Sequence, residues 1–204
     1  MKRFVDLWEL DMQNNNLQGG TKKIIAVIGM CGAGKSEVVN YLQKKLKCPK
    51  IYFGDATFDR MKKDELELNY ENERAVREKI RSELGMGAYA KLALPKIKKA
   101  LKNNGIALIE SLYSWDEYKI MKQKFSDSFK LIAVYASPNV RFQRLKKRKK
   151  ERPIKNYKEF KTRDYSEIEG TDKGGPIAIA DYTIINEGSI KNLHKNINDI
   201  INKI

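Results

Sequence analysis

The stretch KIIAVIGMCGAGKS, residues 23–36, constrains this chain more than any other. KIIAVIG is a continuous apolar run, the pattern of a strand buried on both faces of a parallel sheet. It leads directly into Gly29-Met30-Cys31-Gly32-Ala33-Gly34-Lys35-Ser36, which fits GxxxxGK[ST]. An amphipathic helix, SEVVNYLQKKLK, follows at once. Glycines let such a loop curl until successive backbone N–H groups point inward at phosphate oxygens. The helix adds the positive end of its dipole at the same point. Lys35 reaches the β- and γ-phosphates, and the Ser36 hydroxyl can ligate Mg²⁺. A strand–helix turn that used glycine only for packing would not need Lys35 and Ser36 together. An ATP site is therefore expected at Gly29, Cys31, Gly32, Ala33, Gly34, Lys35, Ser36 and Glu37, with Lys35 also catalytic.

The rest of the pattern is α/β. PKIYFGD, IALIE, FKLIAVYAS and DYTIINEG read as four further strands, and charged helical segments lie between them. Strands alternating with helices imply a parallel sheet covered on both faces. The expected architecture is a three-layer P-loop NTPase fold with a five-stranded parallel sheet. Residues 55–104 and about 147–175 hold helices without a strand and read as excursions, an acceptor-binding insertion and a lid. The kinase domain then spans 23–204, preceded by an extension over 1–22. In that extension FVDLWELDM is short, acidic and amphipathic, and NNNLQGG is a spacer. It reads as a tail, or as a helix that docks through Phe4, Leu7 and Trp8.

Composition narrows the function classes. The 204 residues are 41% hydrophobic, enough for one globular domain with a proper core. No apolar run approaches the ~18 residues that cross a bilayer, so no membrane association is expected. Two cysteines are too few for a disulfide framework, which points to a reducing cytoplasm. A single histidine, His194, argues against a Ser/His/Asp triad or a multi-histidine metal site and is expected to be a plain surface residue. The net charge of +15 favours anionic partners without choosing among nucleotides, nucleic acid and a membrane surface.

Several polar residues extend the phosphate loop into a candidate site. Glu110 ends the buried IALIE run, where an acid can hold Mg²⁺ through water. Asp55 follows the second strand at the sheet's carboxyl edge, where ligands bind in such folds. It is read as a catalytic or substrate-binding group, or as the N-cap of the next helix. Arg74, Arg77 and Arg81 share one helical face and suit phosphate recognition by an acceptor site. Their competing reading is a solvated face paired with Glu71, Glu73 and Glu78. RFQRLKKRKKER, residues 141–152, is the densest basic run. It reads as a lid over ATP, a nucleic-acid surface or a solvated helix. Phe142 is its only aromatic, whereas RNA-binding surfaces interleave aromatics. The lid reading makes Arg144 and Arg148 catalytic, with Arg163 of RDYSE completing the lid and counted among the substrate-binding residues, and Asp164 and Glu167 steadying the arginines.

These stretches resemble the adenylate-kinase-like branch of P-loop kinases, which includes nucleoside monophosphate kinases and dephospho-CoA kinases. The likeness rests on GMCGAGKS, FGD, the arginine series 141, 144 and 148, and ADYTIINEGS. Within the branch, VREKIRSELGMGAYAKL, VYASPNVRFQRLKKR and FKTRDYSEIEG are similar to a largely archaeal family described as dephospho-CoA-kinase-like or adenylate-kinase-related. The resemblance implies that Asp55 and Arg81 face the acceptor, that Arg144 and Arg148 are lid arginines, and that Asn186 lies near the adenine. Two departures stand out. Tyr113 replaces an arginine expected after the third strand, and Lys149, Lys150 and Arg152 replace an Arg/Asp-rich lid pattern. The function expected is Mg-ATP-dependent phosphoryl transfer to a small nucleotide-like acceptor: a nucleoside monophosphate, a nucleoside or dephospho-CoA. The alternative is a nucleotide-dependent ATPase or assembly factor that binds RNA or a protein. A monomer or homodimer is expected.

Overall fold

A computed structural model describes residues 22–148 and 153–204. The extension ahead of Lys22, and Lys149, Lys150 and Arg152 of the basic run, lie outside the described residues. The chain order is β1 (Lys23–Ile28), α1 (Lys35–Leu46), β2 (Lys50–Tyr52), α2 (Asp55–Lys63), α3 (Tyr70–Leu84) and α4 (Ala88–Asn104). It continues with β3 (Ile106–Glu110), α5 (Trp115–Phe125), β4 (Phe129–Tyr135), α6 (Pro138–Lys146), α7 (Tyr157–Glu169), α8 (Gly174–Ala178), β5 (Tyr182–Ile185) and α9 (Ile190–Ile201).

The five strands form one parallel sheet in the order β2-β3-β1-β4-β5. β1 is central, and Ile24 through Ile28 are all buried, which explains its unbroken apolar sequence. Its alternate residues serve different layers. Ile24, Ala26 and Ile28 pack with apolar residues of α2 to α5, while Ile25 and Val27 pack with α1 and α9. Because every strand runs the same way, all five carboxyl ends share one edge, and the loops there meet.

The helical pattern departs from expectation in three places. α5, between the third and fourth strands, and the short α8 are elements that the strand-based reading passed over. The signal for α5 is present in Ser114-Trp115-Asp116-Glu117. Ser114 Oγ accepts from the Glu117 N–H, and the Glu117 carboxylate accepts from the Ser114 N–H, a complete capping box. A proline is expected to kink or end a helix, yet Pro95 lies inside a continuous α4.

The segment read as a lid is tied firmly to the phosphate loop. Leu145 of α6, Ile154 and Phe160 of α7 pack with Cys31 in a small separate cluster. Arg141 of α6 is buried and donates to both carboxylate oxygens of Asp164 in α7, at 2.7 and 2.6 Å. The same guanidinium donates to the carbonyls of Ala136 and Cys31 and lies over the Phe160 ring. Asp164 thus steadies an arginine as expected, but the arginine is Arg141 and its task is to join α6, α7 and the loop.

Candidate functional site

The loop between β1 and α1 has the shape its glycines require. Gly32 and Gly34 adopt φ of +83 and +99, a region that side chains disfavour. A Cβ on Gly34 would collide with the Asn186 side-chain amide, and one on Gly32 would lie 2.9 Å from the Arg141 carbonyl oxygen. α1 starts at Lys35, so its first N–H groups face the loop. Ser36 and Glu37 are exposed there. Lys35 Nζ donates to the Met30 carbonyl at 3.1 Å. Burial, and next the Lys173 ammonium, pull its pKa down to about 8, with Glu167 acting in the opposite direction.

A cleft of about 330 Å³ opens beside this loop, lined by Gly32, Gly34, Glu37, Arg144, Arg148 and Asn186, among others. Six sequence-predicted residues are thereby brought together. Asn186 is buried, and its amide donates to the Ala33 carbonyl at 2.8 Å. Arg144 donates to the Asn186 carbonyl at 2.8 Å and makes longer contacts to those of Gly32 and Ala33. From α6 it braces the loop against the exit of β5. Arg148 is half-buried and helps depress Lys35. His194 is more engaged than a plain surface residue: it meets Glu37 at 2.9 Å and stacks on Tyr41.

On the other side of the sheet edge, a second cleft of about 290 Å³ lies between α2, α3 and α4. Asp55 lines it as the first residue of α2, with Gly54 in the capping position, so Asp55 is not the N-cap. Its carboxylate approaches Lys96 at 3.5 Å. The three arginines of α3 separate by role. Arg74 pairs with Glu78 at the surface and Arg77 with Glu73, as a solvated face would. Arg81 instead lies over the Tyr89 ring, and its Nε is buried without a hydrogen-bond partner among the described residues. Glu110 stands at the end of β3, where Lys50 of the neighbouring strand meets it at 2.8 Å.

Two charged residues that the sequence reading passed over, Lys173 and Glu117, are buried. Lys173, at the start of α8, is fully buried; its Nζ lies 2.6 Å from Glu167 and 4.2 Å from the Tyr113 ring centre. Glu117 is buried and accepts from the N–H groups of Tyr113 and Ser114. Burial pushes its pKa up to about 7 against those two hydrogen bonds and the charges of Arg81 and Lys173. No simple motif marks Lys173. Its position depends on the Thr171 carbonyl accepting from Trp115 N–H and on Gly175 packing on the Trp115 ring. Among the described residues no group of three or more His, Cys, Asp or Glu gathers, and no helix is long and apolar enough to cross a membrane.

A parallel sheet in this order, a glycine loop leading into a helix and a cleft beside it define a nucleotide-binding P-loop domain of kinase-like fold. Residues 25–170 match the family model described as AAA domain. The chain is 34% identical over 182 residues to a UPF0200 protein of Thermococcus onnurineus, covering 89% of this chain and 97% of the relative. A UPF0200 protein of Pyrococcus abyssi is 35% identical over 182 residues, with 89% and 96% covered. The chain belongs to the UPF0200 family. Its fold is that of shikimate kinase from Bacteroides thetaiotaomicron, with a TM-score of 0.57 at 16% identity, covering 89% of this chain and 97% of that one. A gluconokinase from Sinorhizobium meliloti 1021 is similarly alike, with a TM-score of 0.54 at 12% identity over 91% and 94%.

Proposed function

We propose that this protein is a Mg-ATP-dependent phosphotransferase that moves the γ-phosphoryl group of ATP to a small, nucleotide-like acceptor. The observation that carries this reading is the convergence of cations from separate segments on one edge of the sheet. Lys173 and Arg148 both act on Lys35, and Lys173 and Arg81 both act on Glu117. A protein that only held a nucleotide would need the Lys35 side alone. Phosphoryl transfer needs charge on both sides of the group in flight, because catalysis there is mostly positioning and electrostatic stabilisation.

The cleft that holds Arg144, Arg148 and Asn186 is assigned to ATP, and Lys35 to its terminal phosphates. The cleft bounded by Asp55, together with Arg81, is assigned to the acceptor. The unpartnered Arg81 Nε supports this, since a buried guanidinium donor without an acceptor is costly until an anion completes it. The Ser36 hydroxyl and the Glu110 carboxylate are the oxygens that fit Mg²⁺, a cation usually held by one or two protein oxygens and the phosphates themselves. Glu110 would then have to exchange its Lys50 partner. The shikimate kinase and gluconokinase likeness supports a kinase without naming the acceptor.

The test is a transfer screen. The protein is incubated with Mg-ATP and a panel of nucleoside monophosphates, nucleosides, dephospho-CoA, shikimate and gluconate, and the products are read by mass spectrometry. One acceptor gaining a phosphoryl group with the wild type, and none with Lys35→Ala, is the expected result. ADP formed with no acceptor modified would favour an ATPase or assembly factor and defeat the phosphotransferase reading.

A further inference from the structure

Several carboxylates stand near the carboxyl edge of the sheet, and most are occupied away from Lys35. Asp55 turns to Lys96, Glu110 to Lys50, Glu37 to His194, Glu187 to the Ser137 N–H, and Glu117 caps the two N–H groups at the start of α5. Glu167 differs, because its charge acts on Lys35. It lies on α7 one turn beyond Asp164, the residue that Arg141 ties to the phosphate loop through the Cys31 carbonyl. α7 is therefore held against the loop, and Glu167 is carried to the Lys35 side of the site.

The Glu167–Lys173 pair is asymmetric. The ammonium is 0% exposed and the carboxylate side chain 19% exposed. Lys173 lies against the Tyr113 ring, and Glu167 is the partly exposed member of the pair, its charge acting on Lys35. Its Oε2 is taken by Lys173, while Oε1 has no hydrogen-bond partner among the described residues. Burial alone would raise this carboxyl, but Lys173 first and then Lys35 and Arg163 hold it below the usual range, so it is ionised at neutral pH. An anion next to a terminal phosphate opposes ATP binding through like-charge repulsion. The arrangement makes chemical sense when a proton lies between them, and an acceptor hydroxyl supplies one.

We infer that Glu167 is a catalytic residue that receives the proton of an acceptor hydroxyl, with Lys173 as the positioning residue behind it. This rests on the phosphotransferase reading and narrows its acceptor to a molecule that attacks through a hydroxyl oxygen. In the step, the acceptor oxygen forms a bond to the γ-phosphorus. The bond from the γ-phosphorus to the β–γ bridging oxygen breaks, and its electron pair leaves with ADP. The hydroxyl proton passes to Glu167 and is released to solvent with the product. Water, the smallest hydroxyl acceptor, is activated by the same carboxylate, so slow ATP hydrolysis reports on it.

The experiment compares wild type, Glu167→Gln, Glu167→Asp and Lys35→Ala for ATP and ADP affinity by calorimetry and for Mg-ATP hydrolysis. Thermal melts of each check folding. Removing the charge should raise the preference for ATP over ADP about tenfold and lower hydrolysis on the order of 10²-fold. Glu167→Asp, which keeps the charge but withdraws it by one methylene, should keep the wild-type preference and lose turnover, and it decides the matter if Glu167→Gln does not fold. An unchanged ATP preference in Glu167→Gln, wild-type hydrolysis in either variant, or a wild type that binds ATP without hydrolysing it would overturn the inference. A fall in ATP preference with a tenfold rise in the Mg²⁺ requirement would also overturn it, making Glu167 a metal ligand. Failure of the wild type to bind ATP at all would instead sink the phosphotransferase reading.

Discussion

Asp164→Ala should destabilise the protein severely, because of what it leaves behind. The substitution removes the bidentate partner of Arg141, a residue only 5% exposed. Its remaining contacts, the Ala136 and Cys31 carbonyls and the Phe160 ring, do not neutralise the charge. Breaking one side of a buried ion pair costs about 3–5 kcal/mol, chiefly as an uncompensated buried charge. In a chain of this size each kcal/mol moves Tm by about 2–4 °C, so a fall of about 6–20 °C is expected. Urea unfolding supplies the free energy, and Arg141→Met closes a double-mutant cycle. The double variant should recover most of the loss, since replacing both members by apolar groups is often close to neutral. A loss below about 1 kcal/mol in Asp164→Ala would refute the reasoning, as would a double variant no better than the sum of the two singles.

Gly34→Ala should weaken nucleotide binding and cost about 1–3 kcal/mol of stability, because it forces a side chain into positive φ and against the Asn186 amide; calorimetry with ADP checks the first and a melt the second. Glu117, with its pKa raised to about 7, should make wild-type stability fall as pH rises from about 4.5 to about 7, by about 3 kcal/mol. The sign follows because the folded state holds a proton there that the unfolded state has released; Glu117→Gln should flatten that slope in urea titrations across the window. Arg148→Ala should lower turnover, on the order of 10³-fold, more than it weakens ATP binding. Equal losses in kcat/KM and ATP affinity, with kcat unchanged, would reduce Arg148 to a ground-state contact.

The local sequence determined the sheet and the phosphate loop. An apolar run buried on both faces, followed by glycines that must adopt positive φ and by a lysine–serine pair, has few structural solutions, and β1, its loop and α1 follow from it. The family resemblance, not the local pattern, pointed to Arg144, Arg148 and Asn186 together, and the structure brings them to one cleft because both segments leave the carboxyl edge of the same parallel sheet. Tertiary structure decided which charges have work to do. Arg74, Arg77 and Arg81 are equivalent by spacing, yet Arg81 alone is carried over the Tyr89 ring and left with a buried donor that has no partner among the described residues. Lys173 looks like any other lysine in a chain rich in them, but its burial against Tyr113 makes it a fixed internal charge that acts on both Lys35 and Glu117. A short-range pattern fixes backbone shape because it acts through neighbours in sequence. The strength of a charge depends on how much water and which opposite charges surround it, and segments far apart in the chain set both.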